Sequence, residues 1–295
     1  MRTSRRNLLT MGAAALTVGA SEHTASAQQV DAAAQPPEVE TGAAWLARRK
    51  KIERAWLDLL GDFPTEIPDL QVEIKQVAYE DGITRYHVSF QAESDDRVTA
   101  WLLVPDAAKE TPTPAIICIH STTWGAGKDS VIGLCGRRPV DPPRDPQIGA
   151  ASGLELARHG FATLSIDLLT DGERIEPGRR VMDTRVFYEK HPDWSIVGKN
   201  TWDVMRSVDF LQTLDFVDHD QIGVIGWSLG GHSALFAGAF EPRITAIISN
   251  GGVLDWWRKS YAWFRKPSSW TPWKEGDPKT TSKQIMRRFG FQSNS

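Results

Sequence analysis

Ile222-Gly223-Val224-Ile225-Gly226-Trp227-Ser228-Leu229-Gly230-Gly231-His232 sets the frame for the whole chain. The apolar run Ile222–Ile225 has strand length, the hexapeptide Gly226 to Gly231 is rich in glycine, and the small-residue segment Ser233–Ala239 reads as a helix beginning near His232. Strand, tight turn and helix in that order are the setting in which a G-x-S-x-G sequence presents its serine. A residue at the tip of such a turn has strained backbone angles, and only tiny neighbours let strand and helix approach so closely. The spacing predicts that the Ser228 oxygen stands clear of the sheet, near the positive end of the helix and the Leu229 amide. Ser228 is therefore a candidate nucleophile; the competing reading is an ordinary turn serine.

Working outward, short continuous apolar runs recur at Ala115–Ile119, of buried-strand type, and at Phe161–Ile166 and Ile244–Ile248, which read as further strands. Helical patterns lie between them: Leu154–His159 closed by Gly160, and Thr201–Leu214 with Trp202, Met205, Val208, Leu211 and Leu214 on one face. Upstream, Val72–Ala78, Thr84–Phe90 and Val98–Val104 alternate like antiparallel strands, with Asp81-Gly82 as a hairpin turn. Trp45, Ile52, Trp56, Leu59 and Leu60 predict a helix covering the domain edge. Such alternation of strand and helix predicts an α/β fold, a mostly parallel sheet with helices on both faces.

Composition narrows the function classes. The chain has 295 residues, 41% hydrophobic and 24% charged, with a mean hydropathy of −0.34, the balance of a globular protein. A net charge of −3 offers no basic field for nucleic acid. No run beyond the N-terminus approaches the roughly 18 apolar residues that read as a membrane span, so no stable membrane insertion is expected. Two cysteines, Cys118 in an apolar strand and Cys135 in a Gly-rich loop, make no scaffold, and a bridge between them is not implied. Twelve tryptophans suit either core packing or stacking against sugars.

Residues 1–27 read as an address. Arg2, Arg5 and Arg6 precede an apolar stretch from Leu8 to Ala20, and Ala25-Ser26-Ala27 has the form of a signal-peptidase site. Ser4-Arg5-Arg6-Asn7-Leu8-Leu9 resembles the twin-arginine type, which predicts export to the periplasm or beyond. Residues 28–44 read as a flexible leader, 45–255 as the folded domain and 256–295 as a Trp-rich basic tail.

Ile119-His120-Ser121-Thr122-Thr123 ends the strand where a second oxyanion donor is needed, and the amides of Ser121 or Thr122 are the candidates. His120 reads as a brace for this loop. Asp167 and Glu173, just beyond the strand Phe161–Ile166, read as loop-ordering residues near the site. With the elbow, the order of elements and the segments Phe187 to Trp194 and Asp203 to Asp209, the chain resembles the α/β-hydrolase superfamily. It is most similar to exported dienelactone-hydrolase-like and acetyl-xylan-esterase-like proteins, with prolyl-oligopeptidase-type peptidases further off. The resemblance implies a Ser–acid–His triad in that chain order, no metal or organic cofactor, and a small-molecule or polysaccharide ester as substrate.

The chain departs from that pattern after the elbow. The only histidine following Ser228 is His232, on the helix itself, which reads as packing or capping rather than as a base. Asp255 is the candidate acid, and Asp277, in a turn sequence, a weaker one. Residues 252–295 hold five Trp and nine Lys plus Arg against three acids, without a β-branched run able to form a buried strand. The expectation is a hydrolase chain lacking its last strands and its triad histidine. Three functions remain: a serine esterase, a prolyl-oligopeptidase-type peptidase, and a non-catalytic remnant that binds carbohydrate.

Overall fold

Periodicity of two in the first half and short apolar runs in the second resolve into one mixed sheet. The computed structural model describes residues 42–123, 125–134 and 151–252. Helix α1 (Gly42–Leu60) precedes three antiparallel strands, β1 (Glu73–Glu80), β2 (Ile83–Glu93) and β3 (Asp96–Pro105). Then come β4 (Thr113–Ile119), α2 (Ser152–Arg158), β5 (Ala162–Ile166), α3 (Arg185–Lys190) and α4 (Ile196–Leu211). β6 (Val217–Trp227), α5 (Leu229–Phe240) and β7 (Ile244–Asn250) close the described part. The chain divides into two compact units, Met1–Trp45 and Leu46–Ser295, and all of these strands lie in the second. The expectations on residues 1–41, Trp124, Cys135, Asp255, Asp277 and the later tryptophans lie outside the described residues.

The sheet runs β1-β2-β3-β5-β4-β6-β7. β3 is antiparallel to β5, whereas β5, β4, β6 and β7 are mutually parallel. The chain steps from β4 to one side, into β5, and from β6 to the other, into β7. In open α/β sheets the crevice at such a reversal, beyond the carboxyl ends of the strands, is where ligands bind. Here that crevice lies between β4 and β6. Register aligns Ile119, Ile166, Gly226 and Ser249 in one row, so the loops that follow them emerge side by side.

Alternation along each strand sends successive side chains to opposite faces. Leu102 joins the main core with Phe90, Ile117, Leu164, Val208 and Phe210, beneath α4 and α5. Its neighbour Leu103 faces the other way, onto Ile83, Ile132 and Ala157 beneath α2. Trp56 of α1 meets Phe236 of α5 edge-on at 5.0 Å. The hairpin β1–β2 turns at Asp81 and Gly82, whose φ angles of +53° and +74° are the left-handed pair that a two-residue connection demands.

Two helix starts differ from those the sequence pattern predicts. α4 begins at Ile196 rather than Thr201, because Ser195 caps it: the Ser195 hydroxyl accepts from the Gly198 amide at 3.0 Å. α5 begins at Leu229, directly after the serine, rather than near His232. The segment 244–248 is a strand, as expected, and stands at the margin of the described sheet, with Ile247 and Ile248 exposed by 43% and 54%. No described helix is long and apolar enough to cross a membrane.

The rings of Phe90 and Phe210 stack at 5.1 Å and both are fully buried, so they form the contact at which β2 and α4 meet. Phe210→Ala is expected to lower stability by about 3–5 kcal/mol, read from the midpoint of urea denaturation.

Candidate active site

β6 delivers Ser228 at its end, and the turn is tight enough that its glycines have no room for a side chain. A β-carbon on Gly226 would lie 2.1 Å from the Gly230 carbonyl oxygen. One on Gly230 would lie 2.3 Å from the carbonyl oxygen of Ile119, the last residue of β4. Ser228 itself has φ +53° and ψ −111°, a conformation an L-residue adopts only where its surroundings enforce it. Two backbone hydrogen bonds do so: the Ser228 amide donates to Asn250 O of β7 at 2.8 Å, and Ser228 O accepts from His232 at 3.0 Å. Leu229 opens α5, where the first amides have no intrahelical acceptor and the helix dipole is positive.

The loop after β4 lies against this turn, as the Gly230–Ile119 contact requires. Its first residue, His120, is 2% exposed and braces the loop with both ring nitrogens. The Leu168 amide donates to Nε2 at 3.0 Å, and Nδ1 lies 2.6 Å from the Ser121 carbonyl oxygen. A proton on Nδ1 satisfies both contacts. Because N–H and C=O point to opposite sides of a trans peptide, the Thr122 amide is turned away from the His120 ring. Thr123 continues the bracing: its hydroxyl accepts from the Gly127 amide at 2.7 Å and donates to Asp171 at 3.0 Å.

Beneath the two loops lies Asp167, with no exposed surface. Its Oδ1 accepts from the Lys128 amide at 2.7 Å. Its Oδ2 accepts from Lys128 Nζ at 2.6 Å, from Thr99 at 2.8 Å and from the Glu173 amide at 3.1 Å. Burial alone would raise this carboxyl, yet the adjoining Lys128 ammonium and these hydrogen bonds hold it below the usual carboxylate range. The fit is close: a β-carbon on Gly127 or Gly172 would lie 2.0 or 1.9 Å from Asp167 Oδ1. Lys128 also reaches Glu173 at 2.6 Å, and Glu173 meets His87 at 3.0 Å.

A second group of buried charges adjoins the first through Arg174. Its guanidinium donates to Asp203 at 2.7 Å, Asp96 at 2.6 Å and the Asp167 carbonyl at 3.1 Å. Lys199 pairs with the same two aspartates at 2.5 Å each and with Glu93 at 2.9 Å. The β2–β3 turn, the loop after β5 and α4 are thereby fastened together. Neither Lys128, Lys199 nor Arg174 carries a sequence signal of burial, since Lys and Arg are ordinarily solvated.

Of the candidates named from sequence, Ser228, Leu229, Ser121 and Thr122 belong to adjacent loops at one edge of the sheet. Asp255 lies outside the described residues. His232 sits in the first turn of α5, 7% exposed, and burial lowers its pKa. Cys118 is buried within β4. Among the described residues no group of three His, Cys, Asp or Glu is placed to hold a metal ion. A groove of about 200 Å³ between β1–β3 and α2, lined by Ile83, Arg85, Leu103, Ile132, Leu154 and Arg158, takes no residue from the elbow.

Residues 31–258 match the Abhydrolase family. The 2,6-dihydropseudooxynicotine hydrolase of Paenarthrobacter nicotinovorans is 34% identical over 135 residues, covering 41% of this chain and 32% of that protein. A glucuronoyl esterase from Solibacter usitatus superposes with a TM-score of 0.53 at 25% identity, covering 72% of this chain and 61% of that one. A Bacteroides fragilis protein provisionally named an acetyl xylan esterase superposes with a TM-score of 0.58 at 21% identity, covering 68% and 52%. The chain thus spans about a third of the curated hydrolase and between half and two thirds of the solved structures.

Removing the Asp167 charge takes from the buried Lys128 ammonium its fully buried partner and leaves it only the half-exposed Glu173, so Asp167→Asn is expected to cost about 3 kcal/mol, measured by chemical denaturation at pH 7. A carboxyl lowered by folding stabilises the native state fully above its unfolded pKa of about 3.9, and that contribution is lost as pH falls through the folded value. The gap between wild type and Asp167→Asn should accordingly narrow below about pH 4.

Proposed function

The chain belongs to the Abhydrolase family and has the α/β-hydrolase fold, and from this premise we propose that it cleaves carboxylic esters through an acyl-enzyme on Ser228. The observation that carries the reading is the backbone of Ser228, held at φ +53° between β6 and the first residue of α5. A strained, glycine-flanked serine at a helix N-terminus is how this chemistry presents its nucleophile. Ser228 Oγ attacks the ester carbonyl, the bond to the alcohol breaks, and water then releases the acid. The developing oxyanion is received by the Leu229 amide and by a second amide of the loop after β4. Between Ser121 and Thr122, the orientation of the Ser121 carbonyl toward His120 favours Thr122 as that second donor.

Proton transfer requires a base, and His232 is the one histidine that follows Ser228 in the sequence. Its place in the first turn of α5, behind the serine, fits a packing role. Asp255 stays in the proposal as the triad acid; the triad histidine, which takes the serine proton and passes it to the leaving alcohol, is not found among residues 1–295. The names of the structural neighbours suggest an ester of a carbohydrate as substrate, either an acetylated sugar or a sugar acid ester. The signal-like segment 1–27 adds export by the twin-arginine route, with 45–255 as the hydrolase domain. A second reading, hydrolysis of a nicotine-derived substrate, rests on the 34% identity to the Paenarthrobacter enzyme.

Labelling with a fluorophosphonate probe tests the nucleophile. The probe should modify Ser228 in the wild type and nothing in Ser228→Ala, and an unlabelled wild type removes the acyl-enzyme reading. Turnover of acetylated xylo-oligosaccharide against 2,6-dihydropseudooxynicotine then separates the two substrate classes.

A further inference from the structure

Lys128 is a buried cation with no part in the acyl-enzyme steps, and its surroundings give it another one. The segment 120–128 after β4 is fastened to the segment 167–173 after β5 at three points. At its start, His120 accepts the Leu168 amide at 3.0 Å. In its middle, Thr123 donates to Asp171 at 3.0 Å. At its end, Lys128 grips the buried Asp167 twice, through its amide at 2.7 Å and its ammonium at 2.6 Å, and reaches on to Glu173. Ser121 and Thr122 lie between the first two fastenings.

The grip is specific to a long cation at this position. Gly127 and Gly172 close on Asp167 so tightly that neither tolerates a β-carbon, and their φ angles of +50° and +58° favour glycine. The ammonium is shared between two carboxylates at 2.6 Å each, so it serves as a fixed donor and not as a proton acceptor. Its burial at 1% exposure removes the competition from water that makes surface pairs weak.

We propose that Lys128 is a positioning residue for the oxyanion site: by clamping the loop after β4 onto Asp167, it holds the Ser121–Thr122 amides over Ser228. The proposal rests on Ser228 being the nucleophile. Amides that stabilise charge only as it develops act on the rate of acylation and not on the affinity of the first encounter. Loosening the clamp should therefore slow labelling of Ser228 without weakening its half-saturation by the probe.

The test uses the full chain as wild type, Lys128→Met, Lys128→Arg and Thr123→Val. Two readouts are taken: the fluorophosphonate labelling rate at Ser228, and amide hydrogen exchange of peptides covering 119–128 and 222–227. Lys128→Met should raise exchange in 119–128 while 222–227 keeps its protection, and should slow labelling about tenfold to a hundredfold. Lys128→Arg should recover part of both. Thr123→Val, which loses the Asp171 fastening and the acceptor of the Gly127 amide but keeps the buried pair, should raise exchange in 119–128 less than Lys128→Met does. Lys128→Arg, which keeps the charge but not the ammonium geometry, decides the matter by its loop exchange and labelling rate if Lys128→Met does not fold. Unchanged loop exchange in the variants overturns the clamp, as does a Lys128→Met protein that unfolds more easily yet labels at the wild-type rate. A wild type that does not label removes the nucleophile reading, while the exchange measurements still decide whether Lys128 and Thr123 hold the loop.

Discussion

The carboxylate of Asp167 accepts four hydrogen bonds with no exposed surface, and the loops after β4 and β5 are arranged around it. A buried ion pair is weak evidence of net stability, since removing two charges from water costs several kcal/mol per ion. Its value here is geometric. One oxygen takes the Lys128 amide and the other takes the ammonium, the Thr99 hydroxyl and the Glu173 amide, so three elements meet at fixed distances. Shifting any one of them leaves a buried donor or acceptor without its partner, which penalises other arrangements.

The glycine contacts apply the same constraint from the other side. Gly230 sits on the last carbonyl groups of β4, so the elbow and the following loop approach as closely as two backbones can. The two loops proposed to supply the oxyanion donors thus arise on strands that are neighbours in the sheet, β4 and β6, at the point where the chain changes direction across it. Sheet topology brings the loops together, and the missing β-carbons set the final distance.

Much of this was legible in the amino-acid order because glycine and apolar periodicity report backbone constraints directly. The elbow, the Asp81-Gly82 hairpin and all seven described strands follow from such local signals. Buried charge is different. Lys199 and Asn200 interrupt the apolar face of α4 in sequence, which places the predicted helix start too late. In the fold Lys199 is neutralised by Asp203, Asp96 and Glu93, residues remote or on the next turn, and the helix runs through it. Lys128 is hidden for the same reason: its partners follow a different strand.

The amide of Ser228 ends in the carbonyl of Asn250, and β7 stands at the margin of the described sheet with most of its residues exposed. The serine's backbone pose is therefore only as durable as the seating of that strand. Fraying of β7 from β6 would withdraw one of the two backbone hydrogen bonds that hold φ positive. Attachment of the margin strand and the backbone pose of Ser228 are therefore linked, so a change at the sheet's margin is felt at the elbow without any contact to the serine side chain.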